Sequence, residues 1–325
     1  MNTPIVIESE ANSNIALIKY WGKLERSGNF PAVPSLSLTL SELRTTTRLE
    51  LDESLQADQV HLDGELTTGR PSDRISRVLD EFRQLSNKSV RTRVTTHNDF
   101  PTAAGLASSA SGFAALVVAA DAAYATGLDL SALSSLAREA SASAARSLFG
   151  GWAILPAGAA AATQLAPAEY WSLALVVAVT ASGKKAISST DAMNLTRATS
   201  PYYAAWVAGA GRAFDDARKA VLKRDLPLLG AAMEQSTLMM HATMLTASPA
   251  VIYLAPGTLN VMQRVTALRA QGLACYYTMD AGPHVKVLCN VSDASRVRAE
   301  LTKLDGVLDV LVTKPGPGAR VRAIA

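Results

Sequence analysis

The chain has 325 residues, 49% of them apolar, and a net charge of +3. That length and composition exclude a disordered chain and suggest one large or two medium domains. The small charge, with basic residues scattered, points away from a nucleic-acid or membrane partner. Two cysteines, Cys275 and Cys289, make neither a disulfide framework nor a multi-Cys zinc site, so a reducing cytosol is expected. The opening "MNTPIVIESEANSN" has no basic region ahead of an apolar core and does not read as a secretory signal.

In chain order, "SNIALIKYWGK" (13–23) puts two lysines around Tyr20 and Trp21 behind an apolar run. It reads either as an edge strand with solvated lysines or as a pocket wall for phosphate and carboxylate groups. "TTTRLELD" (45–52) and "VRTRVTTHN" (90–98) read as strands, and "SDRISRVLDEFRQLS" (72–86) as an amphipathic helix with a Ser/Asp start. "FPTAAGLASSASGFAAL" (100–116) sets a Gly/Ser-rich turn ahead of a helix running from Ser108 to Thr126. A helix N-terminus offers unpaired N–H groups to an anion, and small residues let a phosphate approach the backbone. The alternative is a Ser-capped helix behind a tight turn; neither the P-loop pattern nor G-x-G-x-x-G is present.

"LSALSSLAREASASAARSLFGG" carries a helix and a second short one. "PAGAAAATQLAPAEY" (156–170) reads as a loop or domain seam. From 173 the order is strand "LALVVAV", helices at about 200–223 and 226–245, a helix begun at Pro256 and closed by Gly272, strands "LACYYTM" and "HVKVLC", a helix, and strand "VLDVLVT". That order fits a split β-α-β sandwich of ferredoxin type, with a boundary near 170–180. Asp280 stands on the turn "DAGP", where an aspartate is either a turn former or, beside a phosphate-rich cleft, a proton acceptor or charge stabiliser. His97 reads as structural and His241 as facing core or cleft. Met239, Met240 and Met244 read as core, and both cysteines as buried.

Taken together, "NIALIKYWGK", "PSLSLTL", "FPTAAGLASSASG", "SASAARSLFGG", "SSTDAMNLT", "TSPYYAAW", "MHATML" and "DAGP" resemble the mevalonate 5-diphosphate decarboxylase family of the galactokinase, homoserine kinase, mevalonate kinase and phosphomevalonate kinase (GHMP kinase) superfamily. The stretches span nearly the whole chain in the family's order. The resemblance implies an α+β, two-domain fold, with a ribosomal-S5-like ATP-binding domain over 1–175, a ferredoxin-like domain over 176–325, and the active site in the cleft between. It implies ATP-dependent decarboxylation of mevalonate 5-diphosphate to isopentenyl diphosphate, with ATP and Mg2+. Alternatives are the same chemistry on the 5-monophosphate, and a 3-kinase that stops before decarboxylation. An S5-like fold serving nucleic acid without catalysis is disfavoured by the weak charge.

Carried over residue by residue, the resemblance implies that Asp280 orients or deprotonates the substrate hydroxyl and that Lys19 pairs with it. Arg146 would hold the substrate carboxylate, with Asn14 orienting Arg146. Ser109 would touch the transferring phosphoryl group and Ser108 would help place phosphate or Mg2+. Ala103, Ala104, Gly105, Leu106, Ala107, Ser108 and Ser109 would cradle ATP. Tyr20, Lys23, Ser141, Ser143, Arg146 and Ser189 would hold the substrate. A cytoplasmic homodimer, with no nucleic-acid or membrane partner, completes the expectation. The chain departs from the family where Ala140 and Ala142 replace glycines and Ala145 a cysteine, where Asp191-Ala192 precede Met193 in place of a glycine, and where His284 replaces an asparagine.

Overall fold

The computed structural model describes residues 5–100, 108–183 and 186–322. Its first sheet is built on two long strands, β1 (Val6–Ile18) and β2 (Ser35–Asp52). The short strands β3 (Gln59–Leu62), β4 (Glu65–Thr67) and β5 (Arg91–Asn98) extend it on one side, in the order β1-β2-β5-β3-β4. A branch of β6 (Trp152–Leu155) and β7 (Thr163–Ala166) pairs with the first residues of β2. Lys19, directly after β1, is 1% exposed and paired with Asp280; an edge strand with solvated lysines is not what forms there.

The two faces of β2 explain its pattern. In "SLSLTL" the leucines Leu36, Leu38 and Leu40 enter a core, while Ser35, Ser37 and Thr39 alternate with them and are also buried. Irregularities between Asn12 and Asn14, and between Ala16 and Ile18, break the β1–β2 ladder and re-aim the side chains that follow. Four helices cover this sheet: α1 (Arg70–Ser86), α2 (Ser108–Tyr124), α3 (Leu130–Ala140) and α4 (Ala144–Ser147). The alanines of α2 let it lie close against β1, so that the Ser9 hydroxyl donates to the Ala115 carbonyl at 2.7 Å. α1 starts two residues ahead of the expected Ser/Asp signal, because Pro71 supplies the first-turn φ.

The second sheet contains β8 (Leu173–Val179), β9 (Cys275–Met279), β10 (Val285–Asn290) and β11 (Asp309–Thr313), in the antiparallel order β11-β8-β10-β9. With the helices between them, this is the ferredoxin-type arrangement expected from the sequence. β8 is apolar throughout because both faces are covered. Leu173, Leu175 and Val177 join a core with β1, β2, α6 (Tyr203–Lys223) and α7 (Leu226–Leu245), whereas Ala174, Val176 and Ala178 pack under α8 (Pro256–Ala270) and α9 (Ala294–Thr302).

The expected loop at 156–170 contains β7, a strand too short to show a period. α5 (Ser189–Thr199) was also not expected; Ser188 caps it, accepting from the Asp191 amide and donating to its carboxylate at 2.6 Å. After β11 the chain crosses back to the first sheet. Gly316 exchanges backbone bonds with Thr39 and Gly151, and a Cβ at Gly316 or Gly318 would lie about 2.5 Å from neighbouring backbone atoms. The strand β12 (Arg320–Arg322) then pairs with Glu8–Glu10 of β1.

Candidate active site

A cleft of about 1560 Å³ is lined from both sheets: by the end of β1 and the turn after it, by α1, by the start of α2, by residues 139–146, and by the turn between β9 and β10. Every candidate whose side chain the structure describes lines this cleft. Ala103, Ala104, Gly105, Leu106 and Ala107 lie outside the described residues, as does the side chain of Ser108. Ser109 stands exposed in the first turn of α2.

At the floor of the cleft the Lys19 ammonium donates to the Ala16 carbonyl at 2.7 Å and to Asp280 Oδ1 at 2.6 Å. Burial lowers its pKa to about 8, with Lys286 and Arg146 pushing the same way and Asp280 opposing. Asp280 directly follows β9, and its side chain is 28% exposed. Burial would raise its pKa, but Lys19 and Lys286 overcome this and hold the carboxyl well below the usual carboxylate range. Lys286, on β10, approaches Asp280 Oδ2 at 3.2 Å and is 1% exposed. The sequence reading did not single it out. Its signal is a lone lysine within an apolar strand, where no solvated position exists for it.

Arg146 is 1% exposed on the short helix α4. Its Nε donates to Ser37 at 3.0 Å and one terminal nitrogen to Ser35 at 2.8 Å, so the buried serines of β2 set the plane of the guanidinium. Burial lowers its pKa to about 10. Asn14 acts at one remove: its amide donates to the Ser143 carbonyl at 2.9 Å and the Ser147 hydroxyl at 2.7 Å, tying down the turn that carries Arg146.

Around them, the Tyr20 hydroxyl is buried with no hydrogen-bond partner among the described residues, and burial raises its pKa. Lys23 has its pKa lowered by burial, with Arg74 and Arg70 adding repulsion. The Ser141 and Ser143 hydroxyls lie 3.1 Å apart, and Ser189 opens α5. Ala140 ends α3, Ala142 is 4% exposed, and neither has a left-handed φ; the backbone here needs no glycine. The His284 Nδ1 accepts from the Thr180 amide at 3.2 Å, and burial lowers its pKa to about 4.

One further feature was missed. Arg70, Arg74 and Arg77, spaced along one face of α1, line the cleft, and Arg74 donates to the Ala140 carbonyl at 2.7 Å. His241, read as facing core or cleft, is 3% exposed on α7, its Nε2 unpartnered among the described residues and its pKa lowered by burial and then by Lys19 to about 4. His97 is exposed, 3.3 Å from Asp63. The floor of this cleft, which sets buried cations and hydroxyl groups around Asp280, suits a ligand with several anionic groups.

The chain matches two family models. Residues 11–166 match the diphosphomevalonate decarboxylase-like N-terminal domain, and residues 175–314 the mevalonate 5-diphosphate decarboxylase C-terminal domain. It is 35% identical to the diphosphomevalonate decarboxylase of Candida albicans over 94% of each chain. It is 33% identical to the human enzyme of that name, over 84% of this chain and 74% of the human one. Among solved structures, mevalonate diphosphate decarboxylase from Staphylococcus aureus superposes with a TM-score of 0.93 at 34% identity, covering 98% of each chain. MDDEF in complex with MVAPP, AMPPCP and magnesium superposes at 0.91 with 36% identity, covering 98% of this chain and 99% of that one. With both halves matched in order and a relative at this identity over nearly its whole length, the chain belongs to the diphosphomevalonate decarboxylase family and has its two-domain α+β, GHMP-kinase fold.

Proposed function

We propose that the chain catalyses the ATP-dependent decarboxylation of mevalonate 5-diphosphate to isopentenyl diphosphate, releasing ADP, phosphate and CO2. The observation that carries this reading is the ion pair between buried Lys19 and half-buried Asp280, facing Arg146 in a cleft that also opens onto the start of α2. A tertiary hydroxyl is a poor nucleophile and hydroxide a poor leaving group, so the C3 oxygen is first phosphorylated. It attacks the γ-phosphorus, loses its proton, and ADP departs. The C3–O bond then breaks with its electron pair on phosphate; the C1–C2 pair becomes the C2–C3 double bond as CO2 leaves.

In this proposal Asp280 orients the hydroxyl and opposes the positive charge that develops at C3. Lys19 offsets the phosphoryl charge, and Arg146, held by Ser35 and Ser37, receives the substrate carboxylate. Tyr20, Lys23, Ser141, Ser143 and Ser189 take the diphosphate tail. Ser109 and the N-terminus of α2 face the transferring phosphoryl group. The donor set fits nucleotide phosphates: a helix N-terminus, cationic side chains and hydroxyls. Mg2+ would neutralise phosphate charge, held chiefly by phosphate oxygens with Ser108 as a protein ligand, since no described group of three His, Cys, Asp or Glu side chains converges.

We assign residues 1–175 to the ATP-binding domain and 176–325 to the ferredoxin-like domain. Family resemblance supports a cytoplasmic homodimer, to be checked by light scattering; no described helix is long and apolar enough to cross a membrane. ADP and CO2 release measured side by side with mevalonate, its 5-phosphate and its 5-diphosphate tests the activity. Equal release of both products with the 5-diphosphate is expected. ADP without CO2, or preference for the 5-phosphate, would refute the reading.

A further inference from the structure

Lys286 lies in the interior of the second sheet, where β10 pairs with β8 on one side and β9 on the other, opposite Val177 and Thr278. Val285, Val287 and Cys289 turn to the α8–α9 core. Lys286 shares the other face with Leu288, which joins the core beneath α6 and α7. A lysine at a 1% exposed position of a central strand is expensive: its ammonium leaves water, and an apolar side chain would serve the sheet better. Its described oxygen partners are Asp280 Oδ2 at 3.2 Å and, at the long distance of 3.5 Å, the His284 carbonyl.

The opposite oxygen of Asp280 is held by Lys19, which arrives from the other sheet at the end of β1. One carboxylate is thus gripped at both oxygens by ammoniums from two sheets. The other titratable groups facing this cluster are Arg146 from α4, Tyr20 beside Lys19, His241 from α7 and His284 from the turn itself. No other described carboxylate is paired with Lys19 or Lys286.

We propose that Lys286 is a positioning residue for the decarboxylation: by holding Asp280 Oδ2 against Lys19 on Oδ1, it fixes the single carboxylate orientation that meets the reacting centre. The inference rests on the decarboxylase reading, and it assigns a role to a residue that does not itself line the cleft. Without Lys286 the carboxylate keeps one tether and can rotate about its last bond. It also loses one of two nearby positive charges, so its affinity for a proton rises.

The test compares Lys286→Met, Lys286→Arg, Asp280→Asn and the double variant Asp280→Asn/Lys286→Met in ADP and CO2 release. Wild-type turnover decides the decarboxylase reading by itself; ratios among variants decide this one. Lys286→Met should lower kcat by about 10- to 100-fold while the KM for ATP stays within about threefold. The acid limb of its kcat profile should move to higher pH, and Lys286→Arg should return the limb toward wild type. The double variant should be no slower than Asp280→Asn alone, because Lys286 acts only through that carboxylate. Folding is followed by circular dichroism, and Lys286→Gln, which retains a donor, replaces the Met variant if that does not fold. A Lys286→Met or Lys286→Gln enzyme within about twofold of wild-type kcat with an unmoved acid limb, or a double variant in which the two losses multiply, would overturn the proposal.

Discussion

Replacing Arg146 with lysine keeps a positive charge and removes the fork. In the folded protein two of the guanidinium donors are committed to the hydroxyls of Ser37 and Ser35, at 3.0 and 2.8 Å, within a site where Arg146 is 1% exposed. A lysine ammonium is a single point that cannot reach both serines and a ligand in one plane. At least one buried hydroxyl loses its partner, at about 1–3 kcal/mol of stability. The substrate carboxylate in turn loses its two-pronged contact with a buried cation, which is typically worth about 2–4 kcal/mol. That converts to roughly a 30- to 900-fold fall in kcat/KM for mevalonate 5-diphosphate. Steady-state ADP release, read together with equilibrium binding of a non-hydrolysable ATP analogue, separates the alternatives. Turnover should collapse while nucleotide affinity holds. If nucleotide affinity fell and turnover survived, Arg146 would belong to the ATP site and the assignment would be wrong.

Asp280→Asn should retain ATP binding yet lose roughly a thousandfold or more in kcat, as expected for a charge acting in the transition state; a variant with a tenth of wild-type turnover would sink that role. Lys19 must be protonated to offset phosphoryl charge, and burial brings its pKa down to about 8, so kcat should decline above about pH 8. The protonated fraction falls as pH rises, hence a basic limb; Lys19→Arg should move that limb upward, and an unmoved limb would assign it elsewhere. For the substrate tail, kcat/KM should favour the 5-diphosphate over the 5-monophosphate, and Ala142→Gly should change that ratio by less than about tenfold, or roughly 1.4 kcal/mol, the lower part of the about 1–3 kcal/mol that a pocket methyl is worth; competition kinetics with both substrates measures it.

Much of the second sheet was legible because its elements are long and strongly patterned. Leu173–Val179, Leu226–Leu245 and Pro256–Ala270 begin and end where apolar runs, Pro and Gly place them. The short strands β3, β4, β6, β7 and β12 were not legible, because three or four residues cannot display a period, and for β12 and β6 the partners β1 and β2 lie far away in the chain. At the site, motif resemblance brought out Lys19, Arg146 and Asp280. It left the groups that hold them unassigned. Ser35 and Ser37 were visible in "PSLSLTL", yet nothing local says that the serine face meets a guanidinium 109 and 111 positions away. Lys286 and the α1 arginines carried signals in their own stretches, a charge inside an apolar strand and a row at helical spacing. Only the tertiary structure gives those charges a partner.

The return of the chain to β1 bears on how the protein is made. Arg322 meets Glu8 at 2.6 Å across 314 positions of sequence, and Arg320 pairs with Glu10 beside it. On a ribosome adding roughly 5–20 residues per second, the outer edge of β1 waits about 15–60 s for its neighbour. During that interval Glu8–Glu10 offers open backbone groups to any passing strand, but it does so with two carboxylates that repel a like-charged copy and hold water. The same carboxylates later seat the arginines of β12. A truncation that removes Arg320–Arg322 therefore acts on the first sheet, and its earliest symptom would be aggregation of newly made chains.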